Sequence, residues 1–347
     1  MVAGVTSFER VTAAIQGKPV DRVPVIPQIT YTTAQITGVG LVEALNSPEK
    51  TAEALLSGWR QIGYDAVYAG WESSFNLLAE AMGCTMRYPE GDVPQVIEQI
   101  VKGPDDLDKV SVPDPFATGR LPVHMKTVEL IKREVGDEAP IFSYVPGPFT
   151  LAGQLCSASK LMTSTLRDPQ FVHDLTEITS AASVRYAEAN VEAGVDVIVV
   201  SDPTASLSLI SPRMFDTFAA PRIKEVLDAA AQKGAVISLH VCGQTTPILD
   251  LMCDTGAQIL EVDHLVDLSE AKEKAGHRVC LQGNINPADP LFKGTPEAVD
   301  QAAKQCLAQA ASGGRFILSS GCEIPPLAPI ANIEAMVQAA QKYGGYD

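Results

Sequence analysis

His240 and Cys242 are separated by one residue in Ser238-Leu239-His240-Val241-Cys242-Gly243. In an extended chain that spacing points both side chains the same way. An imidazole beside a thiolate is a borderline-soft donor pair suited to zinc. A third donor stands far along the chain, Cys322 in Ser319-Ser320-Gly321-Cys322-Glu323-Ile324-Pro325. One nitrogen and two sulfurs with a fourth position open is the arrangement of catalytic rather than structural zinc. The competing reading makes His240 a hydrogen-bonded core histidine and both cysteines small hydrophobes. Asp263 is the best-placed oxygen donor for a fourth position and Glu323 is a second, the competing reading of each being a solvated or loop-capping residue. The chain has seven cysteines. Cys84, Cys156, Cys253, Cys280 and Cys306 read as structural, because most buried cysteines are inert.

Convergence of residues 80 positions apart requires a particular scaffold. Short runs rich in Val and Ile recur at Val23–Ile29, Ala66–Ala69, Ile141–Val145, Val195–Ser201, Ala235–His240, Ile259–Val262, Val279–Gln282 and Phe316–Ser320. Such runs suit strands buried on both faces. Between them lie segments of helical period with start signals, among them Ser47-Pro48-Glu49, Asp168-Pro169 and Thr295-Pro296-Glu297. Eight strands alternating with helices predict an α/β fold, a parallel (β/α)8 TIM barrel. An open doubly wound sheet gives the same alternation and is the competing fold. The chain is expected to form a single domain over 1–347, with a leading helix in 1–20. An insertion at 72–140, marked by Pro89, Gly91, Pro94, Pro113 and Pro115, separates the second and third strands. Barrel active sites lie at the C-terminal ends of the strands. The fifth run ends in His240 and Cys242, and the eighth leads to Cys322, so all three face one mouth. Gln28, Tyr31, Asp202, Gln282 and Asn284 are further polar residues at strand ends.

The 26 Lys and Arg residues against 42 Asp and Glu give a net charge of −16. That surface argues against phosphate-backbone binding to nucleic acid and against docking on anionic lipid. No run of about twenty apolar residues suggests a membrane span. The opening MVAGVTSFERV lacks the pattern of a secretory signal. The expectation is a soluble, cytoplasmic, reduced protein.

Three segments carry a specific resemblance: Leu239-His-Val-Cys-Gly-Gln-Thr-Thr-Pro-Ile-Leu249, Glu273-Lys-Ala-Gly-His-Arg-Val-Cys-Leu-Gln-Gly-Asn-Ile-Asn-Pro287, and Gly321-Cys-Glu-Ile-Pro-Pro326 followed by Asn332-Ile-Glu-Ala-Met-Val337. With these the chain resembles the uroporphyrinogen decarboxylase superfamily, and within it the cobamide-dependent methyltransferases that serve coenzyme M. The resemblance implies a barrel with one catalytic zinc on His240, Cys242 and Cys322. It further implies a methylcobamide as co-substrate, a corrinoid protein as partner and a small methyl acceptor. The decarboxylase branch fits poorly. It carries an arginine-bearing loop after the first strand, whereas no Arg or Lys occurs here between Arg22 and Lys50. It places an aspartate where Ala69-Gly70-Trp71 stands and a histidine where Cys322 stands.

The expected activity is methyl transfer between a cobamide and a small thiol such as coenzyme M, with zinc holding the thiol as thiolate. The insertion Trp71–Pro140 and the loops near Tyr31 and Pro146-Gly147-Pro148 would wall the corrinoid side. The same zinc site also suits the opposite half-reaction, demethylation of a methyl ether or methylamine by Co(I). Uroporphyrinogen decarboxylation and a non-catalytic barrel with a structural metal remain as rivals. The sulfonate of coenzyme M calls for a cation; Arg213, Arg278 and Arg315 are available, none placed in the pocket by sequence.

Overall fold

The computed structural model describes residues 4–70, 75–89 and 93–346. Its sheet runs in the order β1 (Val67–Tyr68), β4 (Ile141–Pro146), β5 (Val197–Ser201), β6 (Val236–Val241), β7 (Ile259–Val262), β8 (Cys280–Ile285), β9 (Phe316–Ser320), every pair parallel. A short antiparallel pair, β2 (Thr85–Arg87) and β3 (Gln95–Glu98), stands apart in the insertion.

The run Val23–Ile29, expected as the first strand, is not a regular strand. Pro24 and Pro27 lack the N–H groups a ladder needs. The segment nevertheless closes the barrel. Val25 bridges Leu318 of β9 in parallel, Ile26 N donates to Leu318 O (2.9 Å), and Asp65 N donates to Val25 O (2.7 Å) beside β1.

The principal helices are α1 (Ser7–Gln16), α2 (Pro48–Ile62), α3 (Leu121–Val135), α4 (Pro148–Cys156), α5 (Pro169–Ala193), α6 (Ala220–Gln232), α7 (Pro296–Ala310) and α8 (Ile330–Tyr343). The expected starts are borne out. Ser47 accepts from Lys50 N, Asp168 from Phe171 N and Thr295 from Ala298 N, each with Pro in the first turn. The stretch 72–140 is only partly insertion, because α3 within it is the crossover helix between β1 and β4. Trp71, expected in the wall of the mouth, and Gly91 lie outside the described residues.

Alternation along the strands sorts the barrel interior into layers. Inward positions near the strand starts are apolar: Phe142, Val197, Ile259, Cys280 and Ile317 pack with Val11, Ala14 and Ile15 of α1, which closes that end. Two residues further along, the same phase presents Tyr144, Glu261 and Gln282, all buried. The barrel is therefore dry at one end and polar at the other. Among the described residues no helix is long and apolar enough to cross a membrane.

Candidate metal centre

His240 occupies the inward phase of β6, in register with Ser201 of β5 and Glu261 of β7. Cys242 follows at the same phase, just past the strand's last residue. Cys322 lies two residues beyond β9 and reaches the same place because its neighbour is glycine. A β-carbon on Gly321 would sit 2.4 Å from His264 N, so only glycine lets the chain after β9 press against the chain after β7. Gly243 has φ +84°, and a β-carbon there would meet Ser206 Oγ at 2.8 Å.

The ligand atoms of His240, Cys242 and Cys322 all lie within 4.8 Å of one another. His240 Nε2 is 3.2 Å from Cys242 Sγ, and the two sulfurs are 3.9 Å apart. Two sulfurs at about 2.3 Å from one tetrahedral ion would be about 3.8 Å apart, and a nitrogen and a sulfur about 3.6 Å. His240 Nδ1 donates to the Glu261 carbonyl (3.1 Å), which leaves Nε2 free as a ligand. The donor set and its spacing therefore fit a zinc ion. As protein groups alone, the three share protons unequally. The hydrogen bond from Cys242, opposed by burial and reinforced by His240, holds Cys322 below the ordinary thiol range. The same bond, with burial, pushes Cys242 upward. Burial lowers the His240 pKa, but Cys322, Glu261 and Asp263 together raise it to about 9.

The family model for uroporphyrinogen decarboxylase (URO-D) matches residues 6–343. This chain belongs to the URO-D family. Within that family it is 33% identical over 340 residues to the methylcobamide:CoM methyltransferase MtaA of Methanosarcina barkeri, covering 96% of this chain and 97% of the relative. It is also 33% identical over 346 residues to MtbA, the methylcobamide:CoM methyltransferase of Methanosarcina mazei, covering 97% and 98%. A solved methyltransferase from Methanosarcina mazei superposes with a TM-score of 0.89 at 32% identity, covering 97% of this chain and 99% of the other.

Around the centre of this URO-D family member lies a polar well. Glu261 Oε1 accepts from the Tyr68 hydroxyl (3.2 Å) and from Gln282 Nε2 (3.4 Å). Burial raises its carboxyl to about 7. Glu323 Oε1 accepts from Thr30 N (3.1 Å) and from the Thr30 hydroxyl. Burial raises Glu323 to about 8 against the lowering effect of Thr30. Gln28 Nε2, Tyr144 Oη, Gln282 Oε1, Glu261 Oε2 and Glu323 Oε2 are buried without a hydrogen-bond partner.

The other sequence candidates fall into place around this well. Asp263 Oδ2 accepts from Gly243 N and Oδ1 from Leu265 N, both at 2.9 Å, so its oxygens brace the loops after β6 and β7. Asn284 Nδ2 donates to the carbonyls of Asp263 (2.9 Å) and Val266 (2.7 Å). Asp202 is buried under the start of α4, accepting from Phe149 N, Thr150 N and the Thr150 hydroxyl. Tyr31 is buried in a single helical turn after the closing segment. Arg278 and Arg315 line a cavity of about 540 Å³ at the opposite, N-terminal end of the strands, where Arg278 pairs with Asp254 (2.6 Å). Arg213 is exposed on the connection after β5. Cys84, Cys156, Cys253, Cys280 and Cys306 are buried and stand outside the ligand cluster. Sequence reading missed Tyr68, Tyr144 and Thr30. The alternation in Ala66–Ala69 and Ile141–Val145 carries a signal for the two tyrosines; nothing local marks Thr30, which matters only through Glu323.

Proposed function

We propose that this protein is a zinc-dependent methyltransferase that moves a methyl group from a cobamide, carried by a corrinoid protein, to a small thiol. The convergence of His240, Cys242 and Cys322 at the mouth of the barrel carries this reading, and the methyltransferase names of its relatives support it. His240, Cys242 and Cys322 would hold Zn²⁺, which when bound supplies the Lewis acidity that keeps a thiol ionised at neutral pH.

The chain's own residues do the rest. Glu261 fixes the His240 ring through its backbone carbonyl and so aims Nε2 at the sulfurs. Asp263 and Asn284 hold the loops that carry Cys242 and face Cys322. The buried mouth keeps water from the reacting sulfur and aligns it with the methyl carbon. In the transfer a sulfur–carbon bond forms and the cobalt–carbon bond breaks. The electron pair stays on cobalt as Co(I), and the thiol proton leaves to solvent. Loops after β4 and the closing segment would flank the corrinoid. A role for Asp263 as fourth ligand would require it to release Gly243 N or Leu265 N.

The test is methyl transfer from methylcobalamin to a small thiol by the zinc-loaded protein, followed as thioether and cob(I)alamin formed together. The rate should rise with pH and level off well below the free thiol's pKa. Transfer in which a methyl ether or methylamine donates to Co(I) instead would reverse the assigned direction. Absence of both half-reactions with a cognate corrinoid protein would end the enzyme reading.

A further inference from the structure

Ten large apolar side chains are exposed among the described residues, and none of them lies on the eight principal helices. Val5 precedes α1, at the end of the barrel that α1 closes. The other nine stand on connections that leave a strand end and run to the returning helix. Among them are Val42 after the closing segment, Ile97 and Phe116 in the insertion, Leu209 after β5, Leu265 after β7 and Leu327 after β9. In a parallel barrel such connections build the face that holds the mouth. Leu209 is 52% exposed, Leu265 54% and Leu327 69%.

These three leucines stand on loops that pack around the metal centre. A β-carbon on Gly243 would meet Ser206 Oγ at 2.8 Å, and Leu209 N donates to Ser206 O (2.9 Å), so the loop bearing Leu209 abuts the chain after Cys242. Leu265 N donates to Asp263 Oδ1, and Gln244 Nε2 donates to Leu265 O (3.0 Å). Leu327 shares the loop after β9 with Cys322, and Gln35 Nε2 ties that loop to the chain after the closing segment by donating to Pro326 O (2.7 Å).

Single exposed leucines need no explanation, but their collection on one face marks an interaction surface. The nine are distributed over seven loops around the mouth, so a molecule that covers them is protein-sized. Charge narrows the occupant. Residues 72–120, which supply Ile97 and Phe116, hold nine Asp or Glu against four Lys or Arg, and Glu98, Asp105 and Asp108 are exposed there. A second copy of this chain would set like charge against like, whereas a partner with a basic face is complementary.

We infer that this apolar rim is the docking surface for the corrinoid-carrying protein, which meets it with apolar residues in a basic surround. The partner's identity rests on the proposed methyl transfer; the surface itself does not.

The probe is the corrinoid protein of the source organism, purified by its cobamide absorbance, with free methylcobalamin as a donor that has no protein to dock. Leu209→Ser, Leu265→Ser and Leu327→Ser, each checked for native circular dichroism and zinc content, should raise the calorimetric Kd for the corrinoid protein threefold or more. Val5→Ser should leave it unchanged. The kcat/KM with the methylated corrinoid protein should fall in the same three variants, while that with free methylcobalamin stays within twofold. Added salt should weaken the protein complex, because attraction between acidic and basic surfaces is screened. Unchanged Kd values in the three leucine variants would overturn the docking surface, as would an equal loss in Val5→Ser. A dimer of the unaltered chain that the three substitutions split, seen by sedimentation, would do the same. A complex that salt leaves unchanged would overturn the basic surround. If neither donor yields a thioether but the Kd pattern holds, the methyl-transfer reading fails and the docking surface stands. If free methylcobalamin serves but the corrinoid protein does not bind, the docking surface fails and the methyl-transfer reading stands.

Discussion

The ring of His240 is oriented by Glu261 through the main chain: Nδ1 donates to the Glu261 carbonyl at 3.1 Å, while the Glu261 side chain turns to Tyr68 and Gln282. The register of β6 against β7 therefore sets which imidazole nitrogen faces the cysteines. A strand pairing does here what a side-chain carboxylate does in many metal sites.

Metal content should follow the three donors. His240→Ala, Cys242→Ala and Cys322→Ala should each abolish tight zinc binding, measured as metal per chain after dialysis. Cys253→Ala and Cys280→Ser should retain it. Circular dichroism should survive chelation, because the barrel has a core of its own. Stoichiometric zinc in all five variants would sink the ligand assignment.

Gly321→Ala should disturb the centre without touching a ligand. The added β-carbon would lie 2.4 Å from His264 N, so the loops after β7 and β9 must part. Overpacking of this kind costs about 1–3 kcal/mol. Zinc affinity should fall along with the urea midpoint. An unchanged affinity would mean that Cys322 is placed by other contacts.

Acid should act on two buried groups with opposite signs. His124 of α3 is held by Asn190 Oδ1 (2.8 Å), and burial lowers it to about 4. The unfolded chain takes up that proton near pH 6.5, so stability is lost as pH falls from there toward 4. Burial raises Asp202 to about 6 against the hydrogen bonds from Thr150, and the unfolded value is near 3.8. The folded chain takes up that proton first, so stability is gained as pH falls from 6 toward 3.8. Each contribution is about 3 kcal/mol when complete. These two terms add to the gain that the raised Glu261 and Glu323 carboxyls bring as pH falls below 8, so each is read as a variant's difference from the unaltered protein. His124→Gln should remove the loss between pH 6.5 and 4, and Asp202→Asn should remove the gain between pH 6 and 3.8. Parallel profiles for all three proteins would contradict this balance.

A polycarboxylate tetrapyrrole should bind weakly and release no carbon dioxide at an enzymatic rate. No Arg or Lys lies between Arg22 and Lys50, and Arg22 itself is committed to Asp65 at 2.7 Å, at the end of the barrel away from the cysteines. Enzymatic decarboxylation of uroporphyrinogen would reverse the substrate assignment.

Sequence alone determined the alternation of buried strands and capped helices, because hydrophobic period and capping chemistry are local. It also singled out His240, Cys242 and Cys322, since their donor types and the one-residue spacing are visible in the chain itself. It overestimated Val23–Ile29 as a strand, where Pro24 and Pro27 leave too few donors for a ladder, although the segment still closes the barrel. Only the tertiary structure decided what the neighbouring acids do. Asp263 and Glu261 share one face of β7, yet one braces loops and the other lines a buried well, because loop N–H groups surround the first and Tyr68 and Gln282 meet the second. The placement of Arg278 and Arg315 was likewise a matter of topology. Arg278 and Arg315 precede their strands, and in a parallel barrel that places them at the end opposite the cysteines.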